Sequence, residues 1–191
     1  MLNQNVSRRL STNEMVKVGL LSAITIVMGL SGLGFIPIQP FKLTIMHLPV
    51  IIGSILLGPV AGGLVGLIFG LFSIYQNIVN PTIVSFAFYN PLVSVLPRIL
   101  IGIVPFYVYK FLSKFNKTVG VALGAALGSL TNTVGVLGMI YIIYLEKYIS
   151  AKGVTGKAFL TAGALNGLLE AILATLIVTP IVFSINKFNK R

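Results

Sequence analysis

Residues 90–109 read NPLVSVLPRILIGIVPFYVY, an almost wholly apolar stretch that contains one charged side chain, Arg98. A run of about 20 apolar residues is long enough to cross the hydrocarbon core of a bilayer as a helix. A guanidinium at the centre of such a helix costs at least roughly 2.5 kcal/mol, so arginines there usually face a bundle interior or a polar cavity. The stretch therefore predicts a membrane helix whose arginine has a partner or a function.

The composition of the whole chain agrees with this prediction. Of the 191 residues, 56% are hydrophobic and 9% are charged, and the mean hydropathy is +1.00. A soluble domain carries about 25% charged residues. A larger core cannot compensate, because a chain this short must expose much of its surface. The chain is therefore predicted to be a multi-pass membrane protein.

Several classes of chemistry are excluded or disfavoured. The chain has no cysteine, which excludes disulfides, thiolate metal sites and cysteine nucleophiles. His47 is the only histidine and cannot form a metal site alone. The chain has three acidic residues and no Walker A or G-x-S-x-G pattern, so the sequence predicts neither ATP hydrolysis nor hydrolase chemistry. We therefore expect no catalytic residues, metal or cofactor. The net charge of +11 is spread among loops, so no nucleic-acid surface is predicted.

Six apolar spans predict an all-α fold, a six-helix transmembrane bundle within one membrane domain of residues 1–191. The predicted spans are about 15–33, 45–58, 60–79, 90–109, 119–145 and 158–185. The second is short for a full crossing, so we expect it to be tilted, bent or partly re-entrant.

The distribution of lysine and arginine predicts the orientation. Six spans place both termini on one side, which collects nine basic residues, whereas the other side collects four. The four are Lys42, Lys147, Lys152 and Lys157. Because cytoplasmic loops carry the excess of basic residues, both termini are predicted to be cytoplasmic.

A few polar side chains lie at membrane depth. Asn90 opens the fourth span and Arg98 follows eight residues later, while Asn132 lies near the middle of the fifth. Asn166 and Glu170 share one face of the sixth span at a spacing of four residues. Lipid exposure would be costly for all five, so we expect them to converge inside the bundle.

Two interpretations of this convergence remain open. The five groups can be interhelical glue, with Arg98 and Glu170 neutralising each other, or they can line a ligand pocket that opens outward. The first outer loop, residues 32–49, favours a pocket because it combines prolines and aromatics with Lys42 and His47. Taken singly, His47 is more often an interface residue and Lys42 is more often solvated.

Four segments together resemble one known family. They are PFKLTIMHLPVIIGSILLGPVAGGLVGLIFGLFS (40–73), NPLVSVLPRILIG (90–102), LTNTVGVLG (130–138) and NGLLEAI (166–172). In these segments, and in its size and basic cytoplasmic ends, the chain resembles the substrate-binding S components of energy-coupling-factor (ECF) vitamin transporters. The resemblance implies a protein of the bacterial cell membrane that binds a vitamin from outside. It also implies partners, namely a transmembrane coupling subunit and two ATPases, and places the ligand at the first outer loop and the outward halves of helices four to six.

The resemblance further implies a docking face on the first helix. Members of the family carry a small-residue A-x-x-x-A pattern there, and the nearest match in this chain is Gly19 and Ala23, with Ser22 beside them.

The segments 90–102 and 130–138 look most like members assigned to pantothenate. A buried arginine suits the carboxylate of that vitamin. Cobalamin, or a precursor such as hydroxymethylpyrimidine, remains an alternative ligand. A stand-alone secondary carrier would be expected to show an inverted repeat or a coupling-ion site, and neither is visible.

Overall fold

The computed structural model describes residues 10–38, 41–153 and 155–188. This part of the chain forms eight helices and one two-stranded hairpin. In chain order they are α1 (Thr12–Ser31), β1 (Phe35–Ile38), β2 (Phe41–Thr44), α2 (Leu48–Leu57), α3 (Pro59–Val79), α4 (Ser85–Phe88), α5 (Pro91–Ser94), α6 (Leu96–Leu112), α7 (Lys117–Lys152) and α8 (Gly156–Phe188).

The helices confirm the predicted six-helix membrane bundle. Five segments are long and apolar enough to cross a membrane, namely α1, α3, α5 with α6, α7 and α8. The sixth, α2, has ten residues and would extend about 15 Å, half of a hydrocarbon core. The second predicted span is therefore a half-length helix, as its short apolar run indicated.

Local signals set the ends of α1. Glu14 Oε2 accepts a hydrogen bond from Ser11 N at 2.7 Å, and Ser11 Oγ accepts from Glu14 N at 3.3 Å. This reciprocal capping box satisfies two amides that the first helical turn leaves without partners. The helix stops at Gly32, whose φ of 75° is a left-handed conformation that glycine adopts without strain.

The two ends of the described chain lie at the same end of the bundle. Glu14 near the start of α1 and Asn186 near the end of α8 line one cavity of about 380 Å³. The α2–α3 turn at Gly58 and the end of α6 at Lys110 line the same cavity. This end of the bundle therefore carries the segments that the basic residues predict to be cytoplasmic.

Glycines of α3 bring its backbone against that of α6. A Cβ at Gly62 would overlap the carbonyl oxygen of Gly102, and a Cβ at Gly70 would lie 2.7 Å from Val95 Cα. Close backbone approach through small residues is how membrane helices pack where lipid provides no hydrophobic drive between them. The glycine stripe of the third span is thus a packing surface.

Two predicted spans have different bounds in the structure. The fourth is broken at Val95 into α5 and α6, because Pro97 lacks the amide hydrogen that would continue the helical ladder. The fifth was predicted to cover residues 119–145, but α7 has 36 residues, about 54 Å at helical rise. It therefore extends well beyond a single bilayer crossing.

The first outer loop is more ordered than the sequence predicted. Its strands pair antiparallel, with Phe35 opposite Thr44 and Ile36 opposite Leu43. Leu43 is 1% exposed and anchors the hairpin in the bundle.

Candidate functional site

A cavity of about 210 Å³ lies between the hairpin and helices α4, α6, α7 and α8. Four of the predicted site residues line it together, namely Arg98, Asn132, Asn166 and Glu170. Along α8, Asn166 is 20 residues from Asn186, so the cavity is about 30 Å from the end of the bundle that carries Glu14 and Asn186. The structure thus confirms that these polar groups converge inside the bundle.

Helix geometry holds Arg98 in place. Because Pro97 has no amide hydrogen, it cannot bond the carbonyl of Val93 four residues earlier. Arg98 satisfies that carbonyl instead, since its Nη1 donates to Val93 O at 2.9 Å. Its Cζ also lies 5.5 Å from the ring centroid of Phe69 and 5.9 Å from that of Phe88, within cation–π range.

One donor of the guanidinium has no partner within the described structure. Arg98 is 7% exposed, and its Nε is buried without a hydrogen-bond partner in the described structure. A buried donor without a partner is costly, and a charged one more so. This side chain therefore favours an anionic group in the cavity.

Glu170 is held by donors from two other elements. Its Oε1 accepts from the Thr44 amide at 2.7 Å, and its Oε2 accepts from the Thr133 hydroxyl at 3.5 Å. The described side chains show no direct ion pair between Glu170 and Arg98. The two charges share the cavity without a salt bridge, so mutual neutralisation by direct pairing is not how the structure satisfies them.

Asn132 of α7 and Asn166 of α8 contribute amide groups. In both, Oδ1 is buried without a partner within the described ranges. Most buried polar side-chain atoms in proteins have at least one partner. The two amides are therefore suited to accept hydrogen bonds from a bound molecule.

Asn90 lies outside this cavity, which corrects its predicted role. Its Oδ1 accepts from Leu92 N at 2.9 Å, and its Nδ2 donates to Tyr144 Oη at 3.3 Å. It caps α5, the usual use of an asparagine before a proline-led helical turn.

Of the two candidates from the first outer loop, the structure places the side chain of one, His47. His47 is fully buried at the start of α2, where its Nε2 lies 3.0 Å from Ser129 Oγ, and it does not line the cavity. It joins α2 to α7 because the neighbouring apolar residues carry it into the core. Lys42 lies in β2, but its side chain is outside what the structure describes.

Several residues that the sequence did not single out also line the site, among them Phe88 and Thr44. Phe88 lines the cavity and faces the guanidinium of Arg98. Thr44 contributes its backbone amide, which no side-chain pattern can reveal.

The predicted docking residues lie on two different faces of α1. Gly19 and Ala23 are exposed, and a Cβ at Gly19 would meet no atom within 4 Å. Ser22 is 4% exposed and faces the bundle, so it is not part of this surface. The reason is helical geometry, since the consecutive residues Ser22 and Ala23 lie about 100° apart around the helix, on opposite sides of the Gly19 direction, and only Ser22 turns toward the neighbouring helices.

A cavity lined by buried polar side chains at one end of a six-helix membrane bundle is typical of a membrane protein that binds a small solute. A family model described as "ECF transporter, substrate-specific component" matches residues 13–182. The chain belongs to this family and is a multi-pass protein of the bacterial cell membrane.

Two curated proteins are similar in sequence. The pantothenic acid transporter PanT of Lactococcus lactis subsp. cremoris is 34% identical over 94% of this chain and 97% of its own length. The pantothenate transporter PanT of Leuconostoc mesenteroides subsp. mesenteroides is 36% identical over 55% of this chain and 56% of its own length.

A solved structure has the same fold. ThiT from Listeria monocytogenes superposes with a TM-score of 0.66, covering 91% of this chain and 95% of its own. The sequence identity is 15%, so this likeness concerns the fold alone.

Proposed function

We propose that this chain captures pantothenate from outside the cell and delivers it to the cytoplasm as the substrate-binding subunit of an ECF-type importer. The observation that carries the proposal is the buried guanidinium of Arg98, which has an unpaired donor at a cavity far from the bundle end that carries Glu14 and Asn186. The two PanT relatives are named as transporters of pantothenate, which supports the same ligand for this chain.

The chemistry of the cavity is complementary to that of the vitamin. Pantothenate carries a carboxylate at one end, an amide in the middle and hydroxyl groups at the other end. A guanidinium binds a carboxylate with two parallel hydrogen bonds. The unpaired Oδ1 atoms of Asn132 and Asn166 can accept from the amide and hydroxyl groups, and Val136 and Leu137 offer apolar surface to the methyl groups.

The subunit binds its substrate and relies on partners for energy. The sequence carries no Walker A motif, and the resemblance to S components implies a coupling subunit with two ATPases. We propose that the exposed face of α1 around Gly19 and Ala23 meets the coupling subunit, because small residues allow close helix approach in a membrane.

The alternative ligands fit less well. A volume of about 210 Å³ is below the ~300–1,000 Å³ that is usual for drug-sized ligands, which favours a small vitamin over a corrinoid such as cobalamin. Hydroxymethylpyrimidine would fit by size but has no carboxylate to engage Arg98.

Calorimetric titration of the detergent-extracted protein tests the proposal, with pantothenol as the matched control ligand. Pantothenol has an alcohol where pantothenate has the carboxylate. We expect tight binding of pantothenate and much weaker binding of pantothenol, and mass spectrometry of the purified protein should detect pantothenate carried through extraction. Equal affinities would rule out recognition of the carboxylate by Arg98, and no binding of either would rule out the ligand.

Transport is tested in liposomes. The purified chain alone should show no concentrative pantothenate uptake, whereas addition of the coupling subunit, both ATPases and ATP should produce it. Concentrative uptake by the chain alone would favour a secondary carrier instead.

A further inference from the structure

At the end of β2, a backbone amide on the edge that faces away from β1 donates a hydrogen bond to Glu170 of α8. Ile45 N donates to Gly34 O at 2.9 Å, on the side of the preceding strand. The amide of Thr44, one residue earlier, points the opposite way and donates to Glu170 Oε1 at 2.7 Å. This bond joins residues that are 126 positions apart in the sequence.

The bond gives the hairpin a polar attachment to α8, in addition to the packing of Phe35 and Leu43. An isolated two-stranded hairpin is at best marginally stable, and a buried edge amide needs an acceptor. Hydrogen bonds to ionised acceptors are roughly twice as strong as neutral ones. Leu43 is the apolar anchor of β2, and the Thr44 amide gives the end of the strand a polar attachment to α8.

We propose that Glu170 is a positioning residue, not a ligand-binding group, and that it fastens β2 across the cavity by accepting the Thr44 amide. Both carboxylate oxygens are already engaged, since Oε2 accepts from Thr133. A single side chain thus ties β2, α7 and α8 together at the cavity wall. A bound molecule is expected to dissociate faster when the strand is no longer fastened. This expectation rests on the proposed function.

Two substitutions separate this role from the alternatives. Glu170→Gln (E170Q) keeps an oxygen that can accept from Thr44 but removes the charge, whereas Glu170→Ala (E170A) removes the acceptor. If Glu170 bound the ligand as an anion or served as the counter-ion of Arg98, both variants would be impaired. If it fastens the strand, E170A should be impaired much more than E170Q, because the bond in E170Q is weaker but still present. Glu146→Gln removes the same charge from an exposed position of α7 and is the matched control.

The first experiment needs no ligand. Hydrogen exchange of the full-length protein in detergent is followed with fragmentation that resolves residues 43–46. We expect the Thr44 amide to exchange roughly tenfold faster or more in E170A, the change for loss of one charge-assisted hydrogen bond. The Glu146→Gln control should stay near the wild-type rate, and E170Q should exchange clearly more slowly than E170A, because its amide oxygen still accepts from Thr44. Equal exchange in E170A and wild type would overturn the proposal, and E170Q exchanging as fast as E170A would assign the role to the charge instead.

The second experiment measures pantothenate kinetics on the same proteins. Dissociation should be roughly tenfold faster in E170A, following the exchange result, with little change in association. E170Q should release pantothenate clearly more slowly than E170A. Faster release from E170Q with normal exchange would make Glu170 a ligand contact and overturn the proposal. If wild type fails to bind pantothenate, the proposed function fails, while hydrogen exchange still decides the role of Glu170.

Discussion

Gly66 of α3 lies directly against the carbonyl group of Arg98 in α6, so that a methyl group at Gly66 would overlap the Arg98 oxygen. The same arginine donates from its side chain to the Val93 carbonyl that Pro97 leaves unpaired. Backbone packing on one side and a proline-freed acceptor on the other therefore fix where the guanidinium sits. The position of the charge in the cavity follows from helix packing.

We expect Gly66→Ala to displace α6 and to weaken both folding and ligand binding. Overpacking a close contact costs about 1–3 kcal/mol, and the atoms in the way are backbone that cannot rotate aside. Gly63→Ala is the matched control on the same helix, because its nearest neighbour, Ile103 Cγ1, is 3.9 Å away. Thermal melts and pantothenate titration check this. Equal behaviour of the two variants would mean that the close approach does not position Arg98.

The convergence of polar groups was predictable because lipid makes isolated ones costly. Arg98, Asn132, Asn166 and Glu170 stand out in apolar sequence, and all four line the cavity. Six helices were predictable for the same reason, since each apolar run must satisfy its own backbone. Composition and spacing therefore determined the bundle and most of its polar lining.

Contacts made through the backbone could not be predicted in this way. The Thr44 amide reaches Glu170 only because the hairpin folds over the cavity. Asn90 was predicted to line the cavity because it is a polar residue at the start of an apolar span. The proline that follows it instead makes it the cap of a helix. The hydropathy pattern placed His47 in the first outer loop. In the structure it is buried in the core together with the apolar residues beside it.

The assignment of Asn90 as a cap leads to a second prediction. Asn90→Ala should lower stability by about 0.5–2 kcal/mol, the usual cost of losing a cap, and leave pantothenate affinity nearly unchanged. Asn90→Asp retains the acceptor for Leu92 N and should recover much of the loss. Thermal melts with parallel titrations provide the measurement. A large loss of pantothenate affinity at an unchanged melting temperature would show that Asn90 contributes to ligand binding.

The exposed face of α1 provides a third prediction. Leucine at Gly19 or Ala23 should impair uptake by the assembled transporter while pantothenate binding to the isolated subunit stays normal, because the added bulk points away from the bundle. Ser22→Ala is the control on the buried face and should transport normally. Pull-down of the coupling subunit reports the step affected. Equal losses of binding and uptake would make the exposed face a structural surface.

A fourth prediction concerns orientation. The native chain has no cysteine, so single cysteines can be introduced at Lys114 and Lys152 without background labelling. The excess of basic residues predicts that position 114 is cytoplasmic and position 152 is outside. An impermeant thiol reagent added to intact cells should label only position 152, and position 114 should react after the cells are opened. Labelling of both positions in intact cells would contradict the predicted topology.

The fifth prediction separates a structural from a binding role for Arg98. Arg98→Lys keeps the charge but loses the planar fork, so pantothenate affinity should fall while the protein still folds. Arg98→Ala should reduce binding further, by roughly 2–5 kcal/mol, a typical cost of removing one partner of a buried charged contact. Titration and thermal melts on both variants provide the two readouts.

The double variant Arg98→Ala with Glu170→Ala completes the test. If the arginine existed mainly to neutralise Glu170, removing both charges would restore stability and nearly normal binding. The structure shows no direct ion pair between them in its described part, and Glu170 has its own donors in Thr44 and Thr133. We therefore expect the stability losses to be nearly additive and binding to stay lost. Recovery of pantothenate binding in the double variant would show that Arg98 is interhelical glue and that the carboxylate is recognised elsewhere.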